Sequence, residues 1–207
     1  MVGFNSAIPN QSAQFARRRV ALAMLLLIAC LLGGCATTPP SRPDDLCAIF
    51  SEKPRWHKDA LKASRRYGSS IPVMMSIMYQ ESRFVSDAQP PFRWFLFIPR
   101  DRASSAYGYP QAKDETWDWY QNQSGHSFAS RSSFADSIDF IGWYNAQTER
   151  RNGVRRNDAY HLYLAYHEGH GGFQRRSFSR KSWLKNTART VSARSANYNR
   201  QYQRCKP

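Results

Sequence analysis

The chain has 207 residues, 42% hydrophobic and 22% charged, which is enough for one domain with a sizeable core. No internal repeat and no second domain is visible, so repeat and multidomain architectures are excluded. Thirty lysines and arginines against fifteen acids give +15. Such a charge favours a polyanionic partner, although a solvated surface explains any single basic residue equally well.

Arg17-Arg18-Arg19 precedes a 13-residue apolar run over residues 20–32. A membrane-spanning helix needs roughly 20 residues, so residues 1–34 read as a targeting segment. The run ends in Leu32-Gly33-Gly34-Cys35, which resembles the lipobox of bacterial lipoproteins. That resemblance implies cleavage before Cys35, lipidation of this residue and a membrane partner held through an N-terminal lipid anchor. Ala36 in place of Asp implies the outer rather than the inner membrane of a Gram-negative cell, with the domain in the periplasm. The segment removes three arginines and no acids, leaving +12. Nucleic acid is not an expected partner at that address. Peptidoglycan, whose stem peptides carry carboxylates, is. Residues 35–46 read as a lipidated polar tether. Beyond it stand Cys47 and Cys205, which an oxidising compartment would join as a disulfide; two free buried thiols are the alternative.

Residues 56–67 predict a first helix, with Trp56, Ala60, Ala63 and Tyr67 at helical spacing and Gly68 as its stop. A second, largely apolar helix spans 71–80, with Pro72 in the first turn, where a missing N–H costs nothing. Glu81 follows, one turn beyond Ile77 and Met78. A carboxyl held against apolar side chains resists ionising, and its pKa rises toward the range of a general acid. A lone glutamate near a helix end is otherwise a solvated surface residue. The run Phe92-Arg93-Trp94-Phe95-Leu96-Phe97-Ile98 is either buried as a strand or hairpin, or forms an aromatic wall of a cleft. Further helices are predicted at 113–122, with Trp117 and Tyr120 on one face, and from Phe134 to about 151, opened by Ser133 and closed by Gly153. Another spans 158–166, capped by Asn157. The last runs from about 180 to 202, with Trp183, Leu184, Ala188 and Val191 inward.

Two blocks carry the chemistry. Glu81-Ser82-Arg83-Phe84 with Ala88, followed by Ser105-Ala106-Tyr107-Gly108-Tyr109-Pro110-Gln111, resembles the signature of the lytic transglycosylases (SLT-type, lysozyme-like). Tyr109 and Pro110 stand where that family has Leu and Met. Ala165-Tyr166-His167-Glu168-Gly169-His170-Gly171 is similar to the family's second block, with His167 in place of Asn and Glu168 in place of Ala. The resemblance implies a mostly α (α+β, lysozyme-like) single domain over 47–207, with the irregular aromatic segment inserted beside the cleft. It also implies cleavage of the MurNAc–GlcNAc bond of peptidoglycan to 1,6-anhydromuramoyl products, with Glu81 as single general acid/base.

The same resemblance makes Tyr166 the hydroxyl that orients the acid, and Tyr166, Gln111 and Tyr107 substrate-binding residues. Tyr166 as a packed core tyrosine and Gln111 as a loop-capping amide remain alternatives. Ser82 reads as local support, because no Gly-x-Ser-x-Gly elbow is present to activate it. A second acid, Glu168, would favour a hydrolytic muramidase, and a non-catalytic peptidoglycan-binding lipoprotein is the other rival. His167-Glu168-Gly169-His170, with His161 nearby, invites a metal reading but is not His-Glu-x-x-His. Neither a metal nor another cofactor is expected, and the protein is expected to be a monomer.

Overall fold

The computed structural model describes residues 37–205; the targeting segment and Cys35 lie outside the described residues. The elements are α1 (Leu46–Glu52), α2 (Pro54–Tyr67), α3 (Ile71–Ser82), β1 (Phe92–Phe95), β2 (Ile98–Arg102), α4 (Asp114–Ser124), α5 (Phe134–Asn152), α6 (Ala159–Gln174), a 3-10 turn (Ser177–Arg180) and α7 (Ser182–Cys205). Among the described residues, no helix is long and apolar enough to cross a membrane.

α3 is the axis of the domain. Every residue from Ile71 to Tyr79 is buried, because no stretch of this helix is polar enough to face water. Helices α2, α5, α6 and α7 pack around it. Trp56 of α2 stacks on Phe134 of α5 with ring centroids 4.0 Å apart, and Tyr109 meets both rings edge-on, a favourable quadrupole arrangement. Asp139 of α5 is buried yet satisfied, since the Tyr67 and Tyr120 hydroxyls donate to it at 2.9 and 2.8 Å.

The helix stops are local. Gly68, Gly125 and Gly153 each take the left-handed conformation just past a helix, where a side chain would be penalised. Ser133 caps α5 by accepting from the Asp136 amide.

Several expectations are corrected. Residues 37–45 lie against the domain: the Thr37 and Tyr109 hydroxyls are hydrogen-bonded at 2.6 Å, Pro40 is buried, and Asp44 pairs with Arg194. The cap of α6 is Asp158, which accepts from the His161 amide, not Asn157. α6 also runs eight residues past the expected end. The aromatic run is an antiparallel β1–β2 hairpin, but its tip is out in water, with Leu96 79% and Phe97 94% exposed. Trp183 does not face inward; it is 56% exposed. The buried stripe of α7 runs through Leu184, Ala188, Val191, Ser195 and Tyr198, and Trp183 lies about 100° off it.

Cys47 of α1 and Cys205 of α7 form a disulfide, with their Cα atoms 6.0 Å apart.

Candidate active site

Glu81 lies in the last turn of α3, and the backbone beyond it is unusual. Arg83 and Phe84 both adopt positive φ, at 55° and 62°, a conformation that costs non-glycine residues of order 1 kcal/mol each or more. The double reversal drives Phe84 back into the core against Trp56 and Tyr79 and leaves Glu81 where the helix meets a groove. Ser82 turns inward and donates to the Met78 carbonyl at 3.2 Å, so its hydroxyl supports the helix.

The groove encloses about 410 Å³ and is lined by Glu81, Gln111, Ala112, Lys113, Glu115, Thr116, Phe140, Tyr144, Tyr166, His167, Glu168 and Gly169. Gln111 is anchored: its Nε2 donates to the carbonyls of Ala88 at 2.7 Å and Gly108 at 2.9 Å. The Gly108 amide itself donates to the Ala88 carbonyl at 2.8 Å. A Cβ on Gly108 would come within 2.2 Å of the Arg131 carbonyl oxygen, which explains why this block needs glycine there. The Glu81 loop and the glycine loop are thus knitted together at one wall of the groove. Tyr107 is not among the lining residues and instead faces the Arg131 guanidinium at 5.5 Å.

The opposite wall is α6. It bends at Gly169, whose φ of 72° and ψ of 160° belong to a region open in practice only to glycine. Tyr166, on the turn before the bend, donates its hydroxyl to the Pro110 carbonyl at 2.6 Å, which closes the groove from α6 to the glycine loop. One turn earlier stands Tyr163, a residue that the sequence does not single out, because Leu162-Tyr163-Leu164 reads as core. Its hydroxyl bears on the Glu81 carboxyl, and the Tyr166 hydroxyl also lies within reach of that charge.

Glu81 Oε1 is buried and has no hydrogen-bond partner, an arrangement that penalises the charged form. Burial raises the Glu81 pKa to about 7, and Tyr163 pulls it back only in part, from a position that leaves Oε1 without a formed hydrogen bond. The acid is therefore part-protonated near neutrality.

Glu168 is the contrast. Its side chain is 3% exposed, and burial alone would raise it. Lys181 reaches its two oxygens at 2.7 and 3.0 Å, while Ser177 and His167 add further bonds. Together these donors outweigh burial and hold the carboxyl below its usual range. The histidines of this region go separate ways. His161 pairs with Asp158, and His167 with Glu168. His170 is stacked on Tyr144 and bonded to Thr148, and burial lowers its pKa to about 4. Among the described residues, no three His, Cys, Asp or Glu side chains converge into a metal-holding group.

A carboxyl with one buried, unpartnered oxygen, on a groove lined by aromatic rings and an anchored amide, suits proton transfer to a bulky polar substrate. The Transglycosylase SLT domain family matches the chain over residues 23–205. The chain belongs to this family. No curated protein and no solved structure matches it. As an SLT-type transglycosylase it is a lytic enzyme acting on peptidoglycan, and its mostly helical architecture agrees with that of the family.

Proposed function

We propose that Glu81 is the single general acid/base of a lytic transglycosylase that cuts the MurNAc–GlcNAc bond and leaves a 1,6-anhydromuramoyl end. The observation that carries the reading is the buried Oε1 without a partner, on a carboxyl raised to about 7 by burial. In this mechanism the protonated Glu81 gives its proton to the bridging oxygen as the glycosidic bond breaks. The resulting carboxylate then accepts the proton of the sugar's own 6-hydroxyl as that oxygen bonds to the anomeric carbon. Proximity makes the internal hydroxyl a better nucleophile than a water that must first be held. Tyr163 and Tyr166 flank the carboxyl, Tyr163 by its hydroxyl and Tyr166 by fixing α6 to the Pro110 carbonyl. Gln111 keeps the facing loop in place for the substrate.

A hydrolytic outcome would need a second carboxylate free to activate water. Two further acids line the groove, Glu168 and Glu115. The oxygens of Glu168 are engaged by Lys181, Ser177 and His167, which removes it as that base. Glu115 stands exposed in the first turn of α4, so an unchanged anhydro product from Glu115→Gln is expected. We also propose a periplasmic enzyme anchored by lipid on Cys35, on the strength of residues 17–35; Cys35→Ser should release it from the membrane fraction. The test of the chemistry is digestion of purified sacculi. Fragments lighter by one water than their hydrolytic counterparts support the reading, and reducing-end products would sink it. Activity should fall as pH rises past about 7, where Glu81 loses the proton it must donate.

A further inference from the structure

Trp183 is a large aromatic ring left more than half exposed at the start of α7. A single exposed apolar side chain is ordinary and needs no explanation. Trp183 differs in what it touches. Its ring meets His167 edge-on, with centroids 5.1 Å apart, and His167 lines the same groove as Glu81. The contact is held by a device two residues away. Lys181, just before α7, grips both oxygens of Glu168, while Ser177 bonds Glu168 and the Gly172 carbonyl. The α7 start is thereby clamped to the bend of α6, and Trp183 is set beside the end of the groove instead of joining the buried stripe of its own helix.

From this arrangement we infer that Trp183 and His167 form a sugar-stacking subsite, which takes a pyranose ring of the glycan strand beyond the bond being cut. The inference rests on the reading of the groove as the glycan-cleaving site. An indole presents a flat apolar face with a polar edge, matched to a sugar ring whose C–H face is apolar and whose rim is hydroxyl. His167 uses Nδ1 toward Glu168, and its exposed ring leaves Nε2 for a hydroxyl of the stacked sugar. A glycan strand that continues out of the groove arrives as successive rings, whereas the stem peptides branch away from it. The occupant of this platform is therefore the glycan.

The test uses the full chain and a GlcNAc–MurNAc tetrasaccharide. With Trp183 unaltered, KM for the tetrasaccharide sets the reference. Trp183→Ala should raise KM about tenfold, the effect of roughly 1.4 kcal/mol, with kcat nearly kept. Trp183→Phe should restore most of the loss, which a merely structural role would not do. In a Glu81→Gln background, the dissociation constant of the uncleaved tetrasaccharide should rise by the same factor on Trp183→Ala. An unchanged KM and an unchanged dissociation constant would overturn the subsite. A kcat loss with KM unaltered would also overturn it. Retained turnover in Glu81→Gln alone would refute the acid assignment instead, and the KM comparison would still decide the subsite.

Discussion

Glu81 at the end of α3 and Glu168 at the bend of α6 line one groove, yet burial lifts the first to about 7 while three donors hold the second below its usual range. Burial raises both carboxyls, and Glu81 the more strongly. The donors widen the difference: Lys181, Ser177 and His167 surround Glu168, and Oε1 of Glu81 has none. A buried carboxylate with a full set of donors is a structural charge; one deprived of them stores a proton. The same groove thus holds a clamp and an acid, and the local donors tell them apart.

The widest gap between the two should appear in activity. Glu81→Gln is expected to lower sacculus solubilisation by about two to four orders of magnitude, the usual worth of a positioned general acid, with glycan binding retained. The same substitution should stabilise the fold. A carboxyl whose folded value lies above its unfolded value of 4.5 binds more protons folded than unfolded between those values, so stability falls as pH rises from about 5 to 7. Above that window the full penalty is present. Removing it should contribute up to about 3 kcal/mol at pH 8 and little at pH 4; urea unfolding at the two pH values checks this, and an equal effect at both would refute the linkage.

Gly169→Ala should cost about 1–3 kcal/mol, because alanine cannot adopt the backbone angles of the bend without strain; a melting curve reads the loss. Glu168→Gln breaks the clamp but not the acid, so turnover should fall by about tenfold or less, with the anhydro product unchanged by mass spectrometry. A loss as large as that of Glu81→Gln would instead make Glu168 part of the chemistry. The smallest effect belongs to Tyr163→Phe. Tyr163 pulls the Glu81 pKa down, so its loss should move the basic limb of the activity profile to higher pH.

Much of this molecule is legible in its amino-acid order. Glycines after periodic runs, at Gly68 and Gly153, mark helix ends because only they accept the left-handed turn cheaply. Ile77 and Met78, a turn before Glu81, foretell its raised pKa because i−3 and i−4 neighbours share a helix face. What escapes is whatever depends on distant partners. α1 is seven residues long, too short to show a period, and it is a helix because Leu46, Ile49 and Phe50 find the core. Glu168 looks like a candidate base until Ser177 and Lys181, from after the bend, close around it. Tyr163 hides in an apolar run, and Tyr166, expected beside the acid, spends its hydroxyl on Pro110. Trp183 follows the apolar pattern of α7 but misses its stripe by one residue, a rotation of about 100° on a helix.

The sulfur bridge between Cys47 and Cys205 has a mechanical side. It fastens the first helix of the domain to the last turn of the longest one, and α7 packs along α3 and α6. Tension arriving from the residues before Leu46 cannot peel α1 away as a loose end. It enters a covalent link and is passed to α7, which is itself packed against α3 and α6.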